Sequence, residues 1–221
     1  MLFRSMEENI CNIVNYILSK NPRIVGFYTI CNSFEFVVEI SEKLKAENPD
    51  LTIILGGPHA SVLVEEIFTY FNCFDFISIG ESEKNILPLI ESILNKRDVS
   101  EFKKIPGICY VDECGKICKN ECAPLLNANE LVKYSVSVPN RYKGKIPFID
   151  IEGGRGCPFQ CTFCSTSKFW KREHRIKPID DLLDEILYYR QEYGINRFYI
   201  VHDHFTANRN HIMEFCKKII D

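Results

Sequence analysis

Short β-branched and aromatic runs alternate with helically spaced apolar segments along the first hundred residues, and this alternation constrains the fold more than any other feature. Ile24 to Ile30 has the composition of a buried strand. Phe34 to Lys45 repeats apolar residues at helical spacing (Phe36, Val37, Ile40, Leu44) and stops at Asn48-Pro49. Leu51 to Leu55 predicts a second strand, ending at Gly56-Gly57-Pro58. Ser61 to Phe71 predicts a helix, Phe76 to Ile79 a third strand, and Glu83 to Leu94 a further helix. Such alternation predicts right-handed βαβ crossovers onto a parallel sheet. Ligands bind these sheets outside the carboxyl ends of the strands, which here means Gly56-Gly57-Pro58-His59 and Gly80-Glu81. The paired glycines serve either a close approach to a ligand or a tight turn. His59 is either a ligand contact or a polar residue that starts a helix.

The chain has 221 residues, 46% of them apolar, with 27 basic side chains against 30 acidic. That suffices for one or two cored domains and excludes a disordered tail. No stretch approaches the ~20 apolar residues of a membrane span. The start, Met1 to Glu8, turns acidic without the apolar core of a signal peptide. A net charge of −3 argues against bulk attraction to nucleic acid or anionic lipid. The expectation is a cytoplasmic protein with no membrane partner. Lys168, Lys171, Arg172, His174, Arg175 and Lys177 surround Phe169 and Trp170, residue types that RNA binding uses. No basic balance elsewhere supports a nucleic-acid partner.

Eleven cysteines, an odd count below the ~8–10% density of secreted disulfide scaffolds, point to buried, metal-bound or catalytic thiols. Cys109, Cys114, Cys118 and Cys122 fall around a predicted hairpin, Pro106 to Lys119. They contain no Cys-x2-Cys pair and match no common metal spacing. Weak periodicity from Pro124 through Pro147 sets a domain boundary there.

The segment Phe148 to Cys164 is different. A strand leads through Gly153-Gly154-Arg155-Gly156 into Cys157-x3-Cys161-x2-Cys164. Glycines let a chain fold tightly around a bulky inorganic group, and thiolates are the ligands of iron–sulfur clusters. A zinc site draws four ligands from two paired motifs, and no second pair follows here. Three ligands leave one iron open to a small molecule, an arrangement suited to catalysis rather than to simple electron transfer. Ile179 to Tyr193 then predicts an amphipathic helix, Arg197 to Val201 a strand and Asn210 to Ile220 another helix.

This motif is the signature of the radical SAM superfamily, and the resemblance continues through Arg175 to Pro178, Leu182 to Ile186 and Phe198 to Phe205. The earlier segment resembles the cobalamin-binding domain that precedes many radical SAM cores, in Ile24-Val25-Gly26, Leu55 to Ala60, and Asp75 with Ile79 to Glu83. The opening strand and helix of that domain have no clear counterpart in the sequence. The Asp-x-His-x-x-Gly motif that supplies a lower axial histidine in some cobalamin proteins is absent.

The resemblance implies an α/β chain. A partial, incomplete Rossmann-like cobalamin-binding-type domain spans 1–105, and a hairpin and linker span 106–146. The first β/α units of a radical SAM partial TIM barrel, truncated, span 147–221. It implies that Cys157, Cys161 and Cys164 ligate a 4Fe-4S cluster whose open iron chelates S-adenosylmethionine. Reductive cleavage of that cofactor would give a 5′-deoxyadenosyl radical. Phe163 would lie against the adenine; simple packing is the alternative. Asp203 would contact S-adenosylmethionine; the alternative is a helix N-cap before Asn208. Gly56, Gly57 and His59 would face cobalamin. An electron donor such as flavodoxin or ferredoxin is the implied partner, and the small-molecule or peptide substrate stays unspecified. A complete barrel takes ~250 residues, so a fragment of a longer enzyme is expected, a cobalamin-dependent methyltransferase among the options. The competing reading is a non-catalytic iron–sulfur or metal-binding protein without a complete active site.

Overall fold

The computed structural model describes residues 6–95, 99–131 and 144–220. The chain divides into two compact units, Met1–Pro124 and Leu125–Asp221. Residues 132–143, inside the stretch where the sequence sets its boundary, lie outside the described residues.

The first unit runs α1 (Met6–Leu18), β1 (Ile24–Tyr28), α2 (Phe34–Glu47), β2 (Thr52–Gly56), α3 (Pro58–Val62), α4 (Val64–Tyr70), β3 (Phe76–Ser78), α5 (Ile86–Leu94), α6 (Val99–Phe102), β4 (Ile108–Val111) and β5 (Ile117–Lys119). The five strands form one sheet in the order β1-β2-β3-β4-β5. β1, β2 and β3 pair in parallel, as their helical crossovers require. β4 and β5 pair antiparallel, so the sheet is mixed. The hairpin assigned by sequence to the connector is thus an extension of this sheet.

Strand side chains alternate between faces, and here both faces are covered. Ile53, Leu55, Ile77 and Cys109 pack with Ile10 and Val14 of α1, Val37, Ile40 and Leu44 of α2, and Ile67 and Phe68 of α4. Their neighbours Ile54, Phe76, Ile108 and Tyr110 point the other way, onto Leu89 of α5 and Ile105. Asp75 pins the start of β3. One carboxylate oxygen accepts from Lys45 Nζ at 2.9 Å, and the other from the Ile53 N–H at 2.6 Å.

Two differences from the sequence expectation stand out. A helix, α1, does precede β1, buried through Ile10 and Val14. The single helix expected over Ser61–Phe71 is two short ones that meet at Leu63.

The second unit contains β6 (Ile149–Glu152), β7 (Gly154–Arg155), α7 (Thr166–Phe169), β8 (Arg175–Ile176), α8 (Ile179–Tyr193), β9 (Phe198–Val201) and α9 (Arg209–Ile220). β6 and β9 are parallel, from Ile149 opposite Phe198 to Glu152 opposite Val201. Leu182, Ile186 and Tyr189 of α8 recur at helical spacing and bury against Ile149, Ile151 and Phe215. Gly194 ends α8 in the left-handed conformation. Asn208 caps α9 by accepting the His211 N–H at 3.1 Å. Among the described residues, no helix is long and apolar enough to cross a membrane.

Candidate functional site

In the first unit, the carboxyl ends of the parallel strands meet in a network the sequence did not disclose. Thr29, just past β1 and fully buried, donates its N–H and its hydroxyl to the Gly56 carbonyl, each at 2.8 Å. Ser61 donates its hydroxyl to the Gly57 carbonyl at 2.8 Å and accepts the Gly80 N–H at 3.0 Å. Ser78 and Asn85 extend the network to the Pro106 carbonyl. The two glycines divide their tasks. Gly57 has φ +93°, and a Cβ there would lie 2.6 Å from the Thr29 carbonyl oxygen, so it makes the tight turn. A Cβ on Gly56 would meet open space, which leaves its side of the strand ends accessible. His59 is the second residue of α3, and its ring lies 4.4 Å from that of Phe34. Tyr28 and Ile30 at the end of β1 are exposed apolar side chains. A broad, largely apolar ring could rest on such a surface.

In the second unit, β6 leads through Gly153 into the cysteine loop, and the loop is closed at its base. β7 pairs antiparallel with β8, Gly154 opposite Ile176 and Arg155 opposite Arg175. The sequence did not predict this pairing. Gly156 has φ +87°, and a Cβ there would lie 1.9 Å from the Glu173 carbonyl oxygen. Only glycine lets the two ends of the loop approach this closely.

Within the loop, Cys157 and Cys164 are half-buried, Cys161 is exposed, and none of the three is in a disulfide. The Cys164 N–H donates to the Cys161 carbonyl at 3.1 Å, folding the second pair into one turn. Among the described residues, no three potential donors converge tightly enough for a single metal ion. A multi-iron cluster is larger than an ion and is bound at its corners, so its thiolates need not share one coordination sphere. Three soft sulfur donors on one accessible, glycine-framed loop therefore fit a cluster better than zinc.

The hairpin thiols do not resemble this set. Burial pushes the Cys109 thiol up to about 11, which disfavours the thiolate a metal needs. Cys118 Sγ lies 3.6 Å from Asp112 Oδ2.

Phe163 is 90% exposed, so packing within this unit does not account for it. Asp203 Oδ2 accepts the Gly156 N–H at 2.8 Å. It is not the N-cap of α9, a role that belongs to Asn208. Arg155 forms a two-pronged ion pair with Glu152, at 2.6 and 3.1 Å. Its guanidinium and that of Arg175 lie 5.9 and 5.4 Å from the Trp170 ring. Arg175 of the basic stretch is thus partly structural. Lys177, wholly buried, pairs with Glu185 of α8 at 2.8 Å. His174 and His202 stack with ring centres 5.0 Å apart and planes within 5°. Burial, helped by neighbouring His174, depresses His202 to about 4, so it is neutral at physiological pH.

Comparison with known proteins assigns both units. Residues 4–88 match the B12 binding domain, and residues 151–221 match the radical SAM superfamily. The chain is a B12-binding domain followed by a radical SAM domain. An uncharacterized methyltransferase of Pyrococcus horikoshii is 27% identical over 212 residues, covering 94% of this chain and 45% of the relative. The anaerobic magnesium-protoporphyrin IX monomethyl ester cyclase of Rubrivivax gelatinosus is 27% identical over 214 residues, covering 92% and 38%. The chain therefore spans less than half the length of these relatives.

Among solved structures, the radical S-adenosylmethionine methyltransferase TsrM of Kitasatospora setae superposes with a TM-score of 0.73 at 17% identity, covering 96% of this chain and 42% of that one. The cobalamin-dependent S-adenosylmethionine radical enzyme OxsB gives 0.70 at 21% identity, covering 96% and 30%. These likenesses concern the fold. The radical SAM family implies a 4Fe-4S cluster and S-adenosylmethionine, and the B12-binding domain implies cobalamin. The thiol loop of the radical SAM domain and the open Gly56 edge of the B12-binding domain fit those groups.

Proposed function

We propose that this chain belongs to a cobalamin-dependent radical SAM enzyme that transfers a methyl group. The carrying observation is the union, in one chain, of a B12-binding domain with a radical SAM loop bearing three cysteines outside any disulfide. The methyltransferase among its relatives supports methyl transfer, while the cyclase keeps ring closure as the second reading.

When bound, the cluster and S-adenosylmethionine supply one-electron cleavage of a sulfonium, and cobalamin supplies a methyl carrier. Cys157, Cys161 and Cys164 hold three irons as thiolates. Phe163, already in solvent, would lie against the adenine. Asp203 would offer its other carboxylate oxygen to S-adenosylmethionine. Gly56 would let a corrin ring approach the backbone, Gly57 makes the tight turn that follows, and His59 would contact the ring. Neutral His202 and the Trp170 stack fill the base of the loop and exclude water. A cytoplasmic reductant such as flavodoxin or ferredoxin delivers the electron, and the substrate is a small molecule or a peptide.

Two titrations test the reading. After anaerobic reconstitution, the chain should hold about four irons and four sulfides. Hydroxocobalamin should bind with a changed absorption spectrum. Iron without cobalamin binding would favour a cluster-binding protein without the methyl carrier. Zinc in place of iron would overturn the proposal.

A further inference from the structure

Three consecutive residues at the carboxyl end of β9 each touch the cysteine loop at a different point. Asp203 Oδ2 accepts the Gly156 N–H at 2.8 Å, immediately before Cys157. The His204 ring lies 5.2 Å from that of Phe159, between Cys157 and Cys161. The His202 ring stacks at 5.0 Å on His174, where the loop returns to β8. His174 Nε2 also lies 3.3 Å from the His204 carbonyl oxygen. The start, middle and end of the loop thus all lean on one tripeptide, itself fixed by the parallel pairing of β9 with β6.

We infer that His202-Asp203-His204 is a clamp that holds the cysteine loop in the shape its metal group requires. Asp203 is its principal positioning residue. The clamp's purpose rests on the reading that Cys157, Cys161 and Cys164 hold a cluster; its mechanical action does not. A loop of this length without internal secondary structure beyond α7 is costly to order. Ordering it before the metal arrives lowers that cost and sets the spacing of the thiols. The charge on Asp203 strengthens its bond to the amide.

Hydrogen–deuterium exchange on the iron-free full chain reads the clamp directly. Asp203→Ala should speed exchange at Gly156 and across residues 157–173 about tenfold, the loss expected for a partly exposed charge-assisted bond. Exchange in α8 and in the first unit should stay unchanged. Asp203→Asn keeps a side-chain carbonyl that can accept the same N–H without the charge, and should exchange more slowly than Asp203→Ala and somewhat faster than the parent. His204→Ala, which leaves the Asp203 bond intact, should loosen only the neighbourhood of Phe159.

After reconstitution, iron content should fall severalfold in Asp203→Ala and be retained in Asp203→Asn. Two outcomes would overturn the clamp. One is a loop in Asp203→Ala that exchanges like the parent. The other is an Asp203→Asn variant as loose as Asp203→Ala. A parent chain that takes up no iron would instead overturn the cluster assignment, and the exchange result would still judge the clamp.

Discussion

A thiolate cannot be replaced by a methyl group, so the three loop cysteines are the sharpest residues to change. Cys157→Ala, Cys161→Ala and Cys164→Ala should each abolish stable cluster assembly, measured as iron and sulfide per chain. Cys114→Ala and Cys118→Ala, in the hairpin of the other unit, should leave both unchanged. Lys177 and Glu185 test a different physics. Both side chains are almost wholly buried, and Glu185 Oε1 has no hydrogen-bond partner. Lys177→Met should therefore destabilise the second unit by about 3–5 kcal/mol, because it strands a buried carboxylate. Adding Glu185→Leu should recover most of that loss in denaturant melts.

His202 makes stability depend on pH. Its folded value, about 4, is below the ordinary 6.5, so between them the unfolded chain binds the extra proton. Stability from the neutral histidine is complete above about 6.5 and is lost as pH falls toward about 4. Burial lowers His211 too, which adds to the same slope. His202→Phe, which keeps an aromatic ring beside His174, should flatten the fall in unfolding midpoint between pH 7 and pH 5.

At the scale of elements, α8 shows what a periodic sequence discloses. Leu182, Leu183 and Ile186 announce the helix, and Leu182 is fully buried beneath it. Leu182→Ala should cost about 2–5 kcal/mol in unfolding free energy, through lost burial and a cavity. Every strand of the first sheet was legible in the same way, because runs such as Leu51 to Leu55 need only local patterning. What escaped detection depends on distant partners. β7 and β8 are two residues each, and nothing local says that Gly154 will meet Ile176. Asp203 was legible as a polar residue after a strand, but not as the acceptor for an amide 47 positions earlier. α1 did carry its signal, in Ile10, Val14 and Ile17, but its first turn is acidic and exposed. The split at Leu63 has no mark in the apolar pattern.

At the scale of the molecule, the site in each unit lies where the fold directs it. Parallel strands leave their carboxyl ends open, and there Gly56 and the cysteine loop sit. The proposed cluster ligands were legible because Cys-x3-Cys-x2-Cys is both local and chemically specific. The proposed cobalamin edge was only partly so, because a Gly-Gly turn serves ordinary folding as well as ligand approach. Geometry separated those roles, assigning the turn to Gly57 and the open side to Gly56. The central claim is that the thiol loop holds a cluster with one iron open to S-adenosylmethionine. Electron paramagnetic resonance of the anaerobically reconstituted, reduced chain tests it most directly. The account predicts a 4Fe-4S signal whose line shape changes when S-adenosylmethionine is added. A signal that ignores S-adenosylmethionine, or no cluster signal at all, would contradict it.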